Sequence, residues 1–178
     1  MDLETAYLEH ILLHLTSNDP DDSALSMSMN SWHAHSRGVP FVNGGGKPRW
    51  LSVKASKRLL APHVHAISQA AKRALAEGRL DDLVIDHAIP SAELIRGLRA
   101  RQRSQPFADT TELRNYLKRR FTLALLTHAE HNNSLRLYRA TMVAGWCDNE
   151  FECDQSTRYC RYGPDAADIE YEVQIAHE

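Results

Sequence analysis

The chain has few cysteines, no long apolar run and one long stretch without acidic residues. Its three cysteines, Cys147, Cys153 and Cys160, exclude a fully paired disulfide scaffold, because one thiol would be left over. No apolar run reaches the ~20 residues of a membrane-spanning helix. The acidic N-terminus also lacks the apolar core of a secretory signal. We therefore expect an intracellular, cytoplasmic protein with no membrane partner.

Positive and negative charges are separated along the chain. Residues 23–76 contain no Asp or Glu, and residues 96–120 are also rich in arginine and lysine, whereas the acids lie largely in residues 2–22 and 148–178. This separation favours a polyanion bound on one face; ordinary solvated helix faces are the alternative. We expect DNA as the partner, contacted by cationic side chains of the two basic stretches. These candidates are Arg37, Lys47, Arg49, Lys54, Lys57, Arg58, Arg96, Arg99, Arg101 and Arg103.

Local patterns outside the candidate site predict two helices, an arm and an edge strand. Residues 3–15 carry apolar side chains at helical spacing, and a second helix is predicted to hold Pro62 in its first turn and Gly78 just after its end. Residues 23–50 are polar and lack apolar periodicity, so we expect a mobile or ligand-ordered arm there. Alternation over residues 171–175 predicts an edge strand.

An Asp-His pair stands at the end of a short apolar run. Residues 83–85 read as a buried strand, Asp86 and His87 follow directly, and Pro90 marks the turn that ends the segment. Because neighbouring residues of a regular strand face opposite ways, a turn would be needed to let both side chains serve one site.

A second apolar run, residues 121–126, precedes a predicted helix start. Thr127 and Glu130 have the spacing of a capping box, which predicts a helix with His131 and Asn132 in its first turns. The order of elements is therefore strand with Asp-His, second strand, then helix with His-Asn.

These side chains suit the hydrolysis of a phosphodiester. That reaction needs an activated water, stabilisation of charge on the phosphate and a group at the leaving oxygen. A neutral imidazole is a good base near pH 7, and carboxylate and amide oxygens suit Mg²⁺. We expect Asp86 to act on the metal and His87 on the water.

The two segments resemble the motifs of HNH nucleases. Residues 84–90, Val-Ile-Asp-His-Ala-Ile-Pro, are similar to the opening motif of that family, and residues 126–132, Leu-Thr-His-Ala-Glu-His-Asn, to its closing motif in RNA-guided CRISPR nucleases. The resemblance implies Asp86 as a metal ligand, His87 as the general base and Asn132 as the second metal ligand. His131 is the alternative to Asn132 as the second metal ligand, if the helix is shifted by one residue.

The resemblance also implies a fold. We expect a small α+β domain, mostly helical, with a helical N-terminal region (1–80), a ββα-metal core (81–146) and an acidic C-terminal segment (147–178). Residues 91–120 would form a helical insertion in the core. The family usually places an Asn near the second strand to orient the base, and residues 121–127 offer none.

The resulting expectation is a metal-dependent endonuclease that cleaves DNA, of restriction, phage or mobile-element type. Magnesium is the expected ion and manganese the alternative. A structural zinc at the three cysteines is the weaker expectation, because their spacings are looser than those of zinc knuckles. Two other functions stay open: a non-catalytic nucleic-acid-binding or inhibitor protein, and an RNA-cleaving toxin. The choice between monomer and homodimer also stays open.

Overall fold

The computed structural model describes residues 2–17, 20–36, 43–44, 47–48, 61–134, 142, 162 and 171–173. Helices predominate in these ranges. They are α1 (Leu3–Thr16), α2 (Asp22–Ser36), α3 (Gln69–Ala76), α4 (Ser91–Ser104) and α5 (Thr110–Arg120). The strands are β1 (Asn43–Gly44), β2 (Lys47–Pro48), β3 (Ala66–Ser68), β4 (Leu83–His87), β5 (Leu123–Thr127) and β6 (Tyr171–Val173). Short 3₁₀ turns lie at Ala61–His63 and Leu80–Asp82, and a π-helical segment at Glu130–Ser134.

The main sheet has four strands in the order β4-β5-β3-β6. β4 pairs antiparallel with β5 over all five of its residues, from Leu83 opposite Thr127 to His87 opposite Leu123. β3 runs parallel to β5 and antiparallel to β6. Among the described residues, β4 is therefore at one edge of this sheet, with β5 as its neighbour.

The two faces of the sheet carry different side chains because residues alternate along each strand. One face contributes to the main hydrophobic core, which also contains residues of all five helices. Its strand residues are Ile67, Leu83, Ile85, Leu123 and Leu125. The opposite face holds Ala66, Ser68, Ala124 and Leu126, which are also buried. Asp86 pairs with Ala124 in the ladder and therefore belongs to this opposite face.

The prediction of an arm over residues 23–50 is wrong for residues 23–36, which belong to α2. Leu25, Met29 and Trp32 are buried at helical spacing, and Trp32 donates through Nε1 to Oε1 of Glu4 on α1 at 3.2 Å. This spacing was present in the sequence, but the polar residues between these positions obscured it. Those residues are satisfied inside the helix: Ser31, for example, donates to the backbone carbonyl of Met27.

The helix predicted around Pro62 begins later than expected. Pro62 lies in a 3₁₀ turn, and residues 66–68 form β3 because they pair with β5 and β6. The helix starts only at Gln69, where the Ser68 side chain accepts a hydrogen bond from the Ala71 backbone. Gly78 follows the helix with a φ of +73°, the left-handed conformation predicted for it.

The capping box predicted after β5 is confirmed. The Glu130 backbone N–H donates to Thr127 Oγ1 at 3.2 Å, and the Thr127 N–H donates back to Glu130 Oε2 at 2.8 Å. The hydroxyl of Ser68 donates to the same Glu130 oxygen at 2.7 Å. Ser68 therefore joins the start of α3 to the turn that follows β5.

The α+β class with mostly helical content is confirmed. The sheet draws β3 from the N-terminal region and β6 from the C-terminal segment, so both regions contribute to one sheet with the central strands. None of the described helices combines the length and apolar character required to cross a membrane.

We expect Ser68→Ala to lower the free energy of unfolding by about 1–2 kcal/mol, because one buried hydroxyl both caps α3 and binds Glu130. Urea unfolding followed by circular dichroism measures this. Ser104→Ala is the matched control, since that hydroxyl is exposed and donates to the nearby Arg101 carbonyl at 3.3 Å. Equal effects of the two substitutions would contradict the assignment.

Candidate functional site

The chain brings one residue from each half of the proposed motif into contact. Asp86 lies on β4, and His131 lies in the π-helical segment just after β5. The Asp86 Oδ1 and His131 Nε2 atoms are 3.6 Å apart, and these two side chains are only 12% and 19% exposed. Single π-helical turns occur frequently at functional sites. This pair is therefore the centre of the candidate site.

The other carboxylate oxygen of Asp86 is held by Tyr162. The phenol donates from Oη to Asp86 Oδ2 at 2.9 Å, and the Tyr162 side chain is 1% exposed. Sequence reasoning missed this residue, because a lone tyrosine in a polar segment gives no local signal of a partner 76 positions away.

Asn132 lies on the far side of the His131 ring from Asp86. Its Oδ1 is 3.5 Å from His131 Nδ1, whereas Nε2 of the same ring is the atom that faces Asp86. Of the two ligands considered for the closing motif, His131 is thus the one in direct contact with Asp86. Asn132 is exposed beside it.

His87 faces the other way from Asp86. The β4–β5 ladder continues through His87, so no turn separates the two residues and their side chains leave the strand on opposite faces. The His87 imidazole lies 5.0 Å from the Phe121 ring, edge to face, and its Nε2 is 3.1 Å from Oδ1 of Asn30 on α2. His87 is partly exposed, and Asn30 is almost fully buried.

The orientation of Asn30 fixes the protonation pattern of His87. Asn30 Nδ2 donates to the Ser26 backbone carbonyl at 2.8 Å, so its Oδ1 is the atom that faces His87. An amide oxygen only accepts, and Nε2 of His87 must therefore carry the hydrogen. In the neutral ring this leaves the basic lone pair on Nδ1. Sequence reasoning missed Asn30, because it lies on the helix that was interpreted as an arm.

Two further histidines lie near one another, and one of them packs against Phe121. His33 is 2% exposed and 4.7 Å from the Phe121 ring, and His65 is 6.2 Å from His33 between ring centroids. The Leu123 backbone N–H donates to the ring atom Nδ1 of His65 at 3.1 Å. The backbone N–H of His65 donates to the Leu123 carbonyl. His65 therefore extends the pairing of β3 with β5.

Three of the four arginines predicted on α4 to bind DNA form ion pairs within the protein. Arg96 pairs with Glu93 at 2.6 Å, Arg99 with Asp22 at 2.8 Å, and Arg101 with Glu112. Arg103 is exposed and has no ion pair with another residue of the described ranges.

The other predicted DNA contacts lie elsewhere. Lys47 is the first residue of β2. The remaining candidates and the three cysteines lie outside the described residues; they are Arg37, Arg49, Lys54, Lys57, Arg58, Cys147, Cys153 and Cys160.

The chemistry of the Asp86–His131 pair fits a shared cation. Where His131 Nδ1 donates to Asn132, Nε2 presents a lone pair to the Asp86 carboxylate, and two acceptors attract each other only across a proton or a metal ion. Ligand atoms bound at ~2.1 Å to one ion lie about 3.0 Å apart in octahedral geometry and about 3.4 Å apart in tetrahedral geometry, so the two atoms, 3.6 Å apart here, would have to move closer to share an ion. Within the described ranges, no group of three or more His, Cys, Asp or Glu side chains could hold a metal.

The chain was compared with protein-family models, with curated proteins and with solved structures, and none of them matches.

Proposed function

We propose that this protein is a metal-dependent endonuclease that hydrolyses phosphodiester bonds in DNA in the cytoplasm. The observation that carries the proposal is the 3.6 Å approach of Asp86 Oδ1 to His131 Nε2. The two residues belong to the two motif halves that resemble HNH nucleases. They meet on an antiparallel strand pair that is followed directly by a helical turn, and this order of elements supports the proposal of a ββα-metal site.

Asp86 and His131 would hold a divalent ion, with Mg²⁺ the expected metal and Mn²⁺ the alternative. Asn132, the other ligand that the resemblance implies, lies on the far side of the His131 ring, where its amide oxygen would accept from Nδ1 and orient the imidazole. When bound, the ion stabilises the negative charge that develops on the phosphate. The partly buried site strengthens this attraction, because few waters surround the carboxylate.

His87 would act as the general base through Nδ1, the nitrogen left unprotonated when Nε2 donates to Asn30. Asn30 would thus have the orienting role that the family assigns to an Asn near the second strand. His87 and Asp86 lie on opposite faces, yet both stand at the end of an edge strand. A phosphate that contacts both residues would therefore have to lie around the end of β4 rather than above one face of the sheet.

Contacts to the DNA backbone would come from arginines that carry no internal counter-ion. Arg103 is exposed and, within the described ranges, is the one of the four candidates on α4 that has no ion pair. Arg99, held by Asp22, would contribute less, because binding a phosphate requires breaking the existing ion pair. Arg96 and Arg101 would also contribute less, because each would have to break its ion pair with a glutamate.

We expect the purified protein to cleave duplex DNA with added Mg²⁺ or Mn²⁺, and Asp86→Ala and His131→Ala to lower the rate at least 100-fold. Removing either side chain leaves the ion with one protein contact from the central pair. His128→Ala is the matched control, since His128 is exposed and lies three residues before His131. Cleavage is followed on gels, with circular dichroism to verify folding.

Loss of cleavage in all three variants alike would contradict a specific role for Asp86 and His131. Single-stranded RNA serves as a parallel substrate, and preferential cleavage of RNA would replace DNA by RNA in the proposal. A parent protein that binds DNA but cuts neither substrate would favour a non-catalytic nucleic-acid-binding protein.

We expect His87→Ala to reduce kcat by 100-fold or more with little change in KM, since a general base contributes about 10²–10⁴-fold. Asn30→Ala should reduce kcat by about tenfold, because the imidazole remains but loses its orientation. Asn115→Ala, at an exposed position on α5, is the control. Single-turnover kinetics measures these rates. A His87→Ala protein that cuts within tenfold of the parent would exclude His87 as the base.

We expect Arg103→Ala to reduce the slope of log affinity against log salt concentration by about 0.9, the value for one lost phosphate contact. Arg99→Ala on the same helix should leave that slope almost unchanged. Fluorescence anisotropy of labelled duplex DNA at several salt concentrations measures both slopes. If neither substitution alters the slope, this face of α4 does not contact DNA.

A further inference from the structure

Tyr162 contacts the candidate site from a part of the chain that belongs to neither motif half. Its ring is buried, with 1% of the side chain exposed, and its hydroxyl is 2.9 Å from Asp86 Oδ2. A phenol can donate one hydrogen, and an ionised carboxylate only accepts. The bond is therefore directed from Tyr162 to Asp86, with the charge of the carboxylate strengthening it.

The two oxygens of Asp86 have different neighbours as a result. Oδ2 accepts from Tyr162, and Oδ1 faces His131 Nε2 at 3.6 Å. Because the two oxygens are joined through one planar group, fixing Oδ2 also fixes the direction of Oδ1. The buried position of the phenol keeps water from replacing it.

We propose that Tyr162 is a positioning residue that holds Asp86 Oδ1 toward the divalent cation shared with His131. The inference rests on the proposed function, which supplies the cation, and adds a residue that the resemblance does not include. A hydrogen-bonded partner of a ligating side chain typically accounts for 10–100-fold in metal affinity. The hydroxyl of Tyr162 stands in this relation to Asp86.

The test is Tyr162→Phe, which removes the hydroxyl and retains the ring. Binding of Mn²⁺ to the full chain without DNA, followed by electron paramagnetic resonance, should be weakened about tenfold. The Mg²⁺ concentration for half-maximal cleavage should rise by a similar factor, whereas the rate at saturating Mg²⁺ should stay within about twofold of the parent. Tyr116→Phe is the matched control, because that tyrosine is 2% exposed and packs against Phe107 in the core.

A second comparison separates positioning from a general effect on the fold. In an Asp86→Ala background, Tyr162→Phe should leave the residual Mn²⁺ affinity unchanged, because the oxygen that the hydroxyl holds is gone. An equal loss of affinity in both backgrounds would indicate a structural effect and overturn the proposal.

The remaining outcomes separate this inference from the proposed function. If the parent cleaves DNA and Tyr162→Phe binds Mn²⁺ as tightly as the parent, the positioning role is wrong and the nuclease proposal stands. If the parent binds no Mn²⁺ and cleaves no nucleic acid, both are wrong.

Discussion

Five residue pairs join β4 to β5, and the positions of the candidate side chains depend on that register. The antiparallel pairing places Asp86 on one face of the sheet, and the chain turns toward that face after Thr127. His131, four residues after Thr127, therefore lies next to Asp86. A shift of the register by one residue would reverse both faces, moving Asp86 into the apolar core and Ile85 out of it. The burial of Leu83, Ile85, Leu123 and Leu125 therefore stabilises the register and, with it, the site.

The same alternation divides the Asp-His pair between two environments. On one face, Asp86 contacts a phenol and an imidazole, which are groups suited to an ionised carboxylate and a cation. On the other, His87 lies between an amide and an aromatic ring, which orient the imidazole. In the proposed function, one substrate would have to contact both residues around the end of β4.

Features set by neighbouring residues could be predicted from the sequence, and features set by distant contacts could not. The capping box at Thr127 and Glu130, the left-handed Gly78 and the buried strand that begins at Leu83 depend on local spacing and were predicted, whereas the continuation of that strand through His87 was not. The helix α2 is polar along much of its length, and its stability comes from packing of Leu25, Met29 and Trp32 against other elements. Asn30 and Tyr162 lie 57 and 76 positions from their partners, so no local pattern identifies them. Charge separation predicted a basic surface, but Arg99 and Arg101 pair with acids of other helices, and Arg96 pairs with Glu93 on its own helix.

The central claim is that Asp86 and His131 share one divalent cation, and a crystal soaked in Mn²⁺ tests it most directly. An anomalous difference map should show a peak about 2.0–2.3 Å from both Asp86 Oδ1 and His131 Nε2, with Tyr162 still bonded to the other carboxylate oxygen. An ordered site with no peak between these two atoms at saturating Mn²⁺, or a peak only at other side chains, would contradict the account.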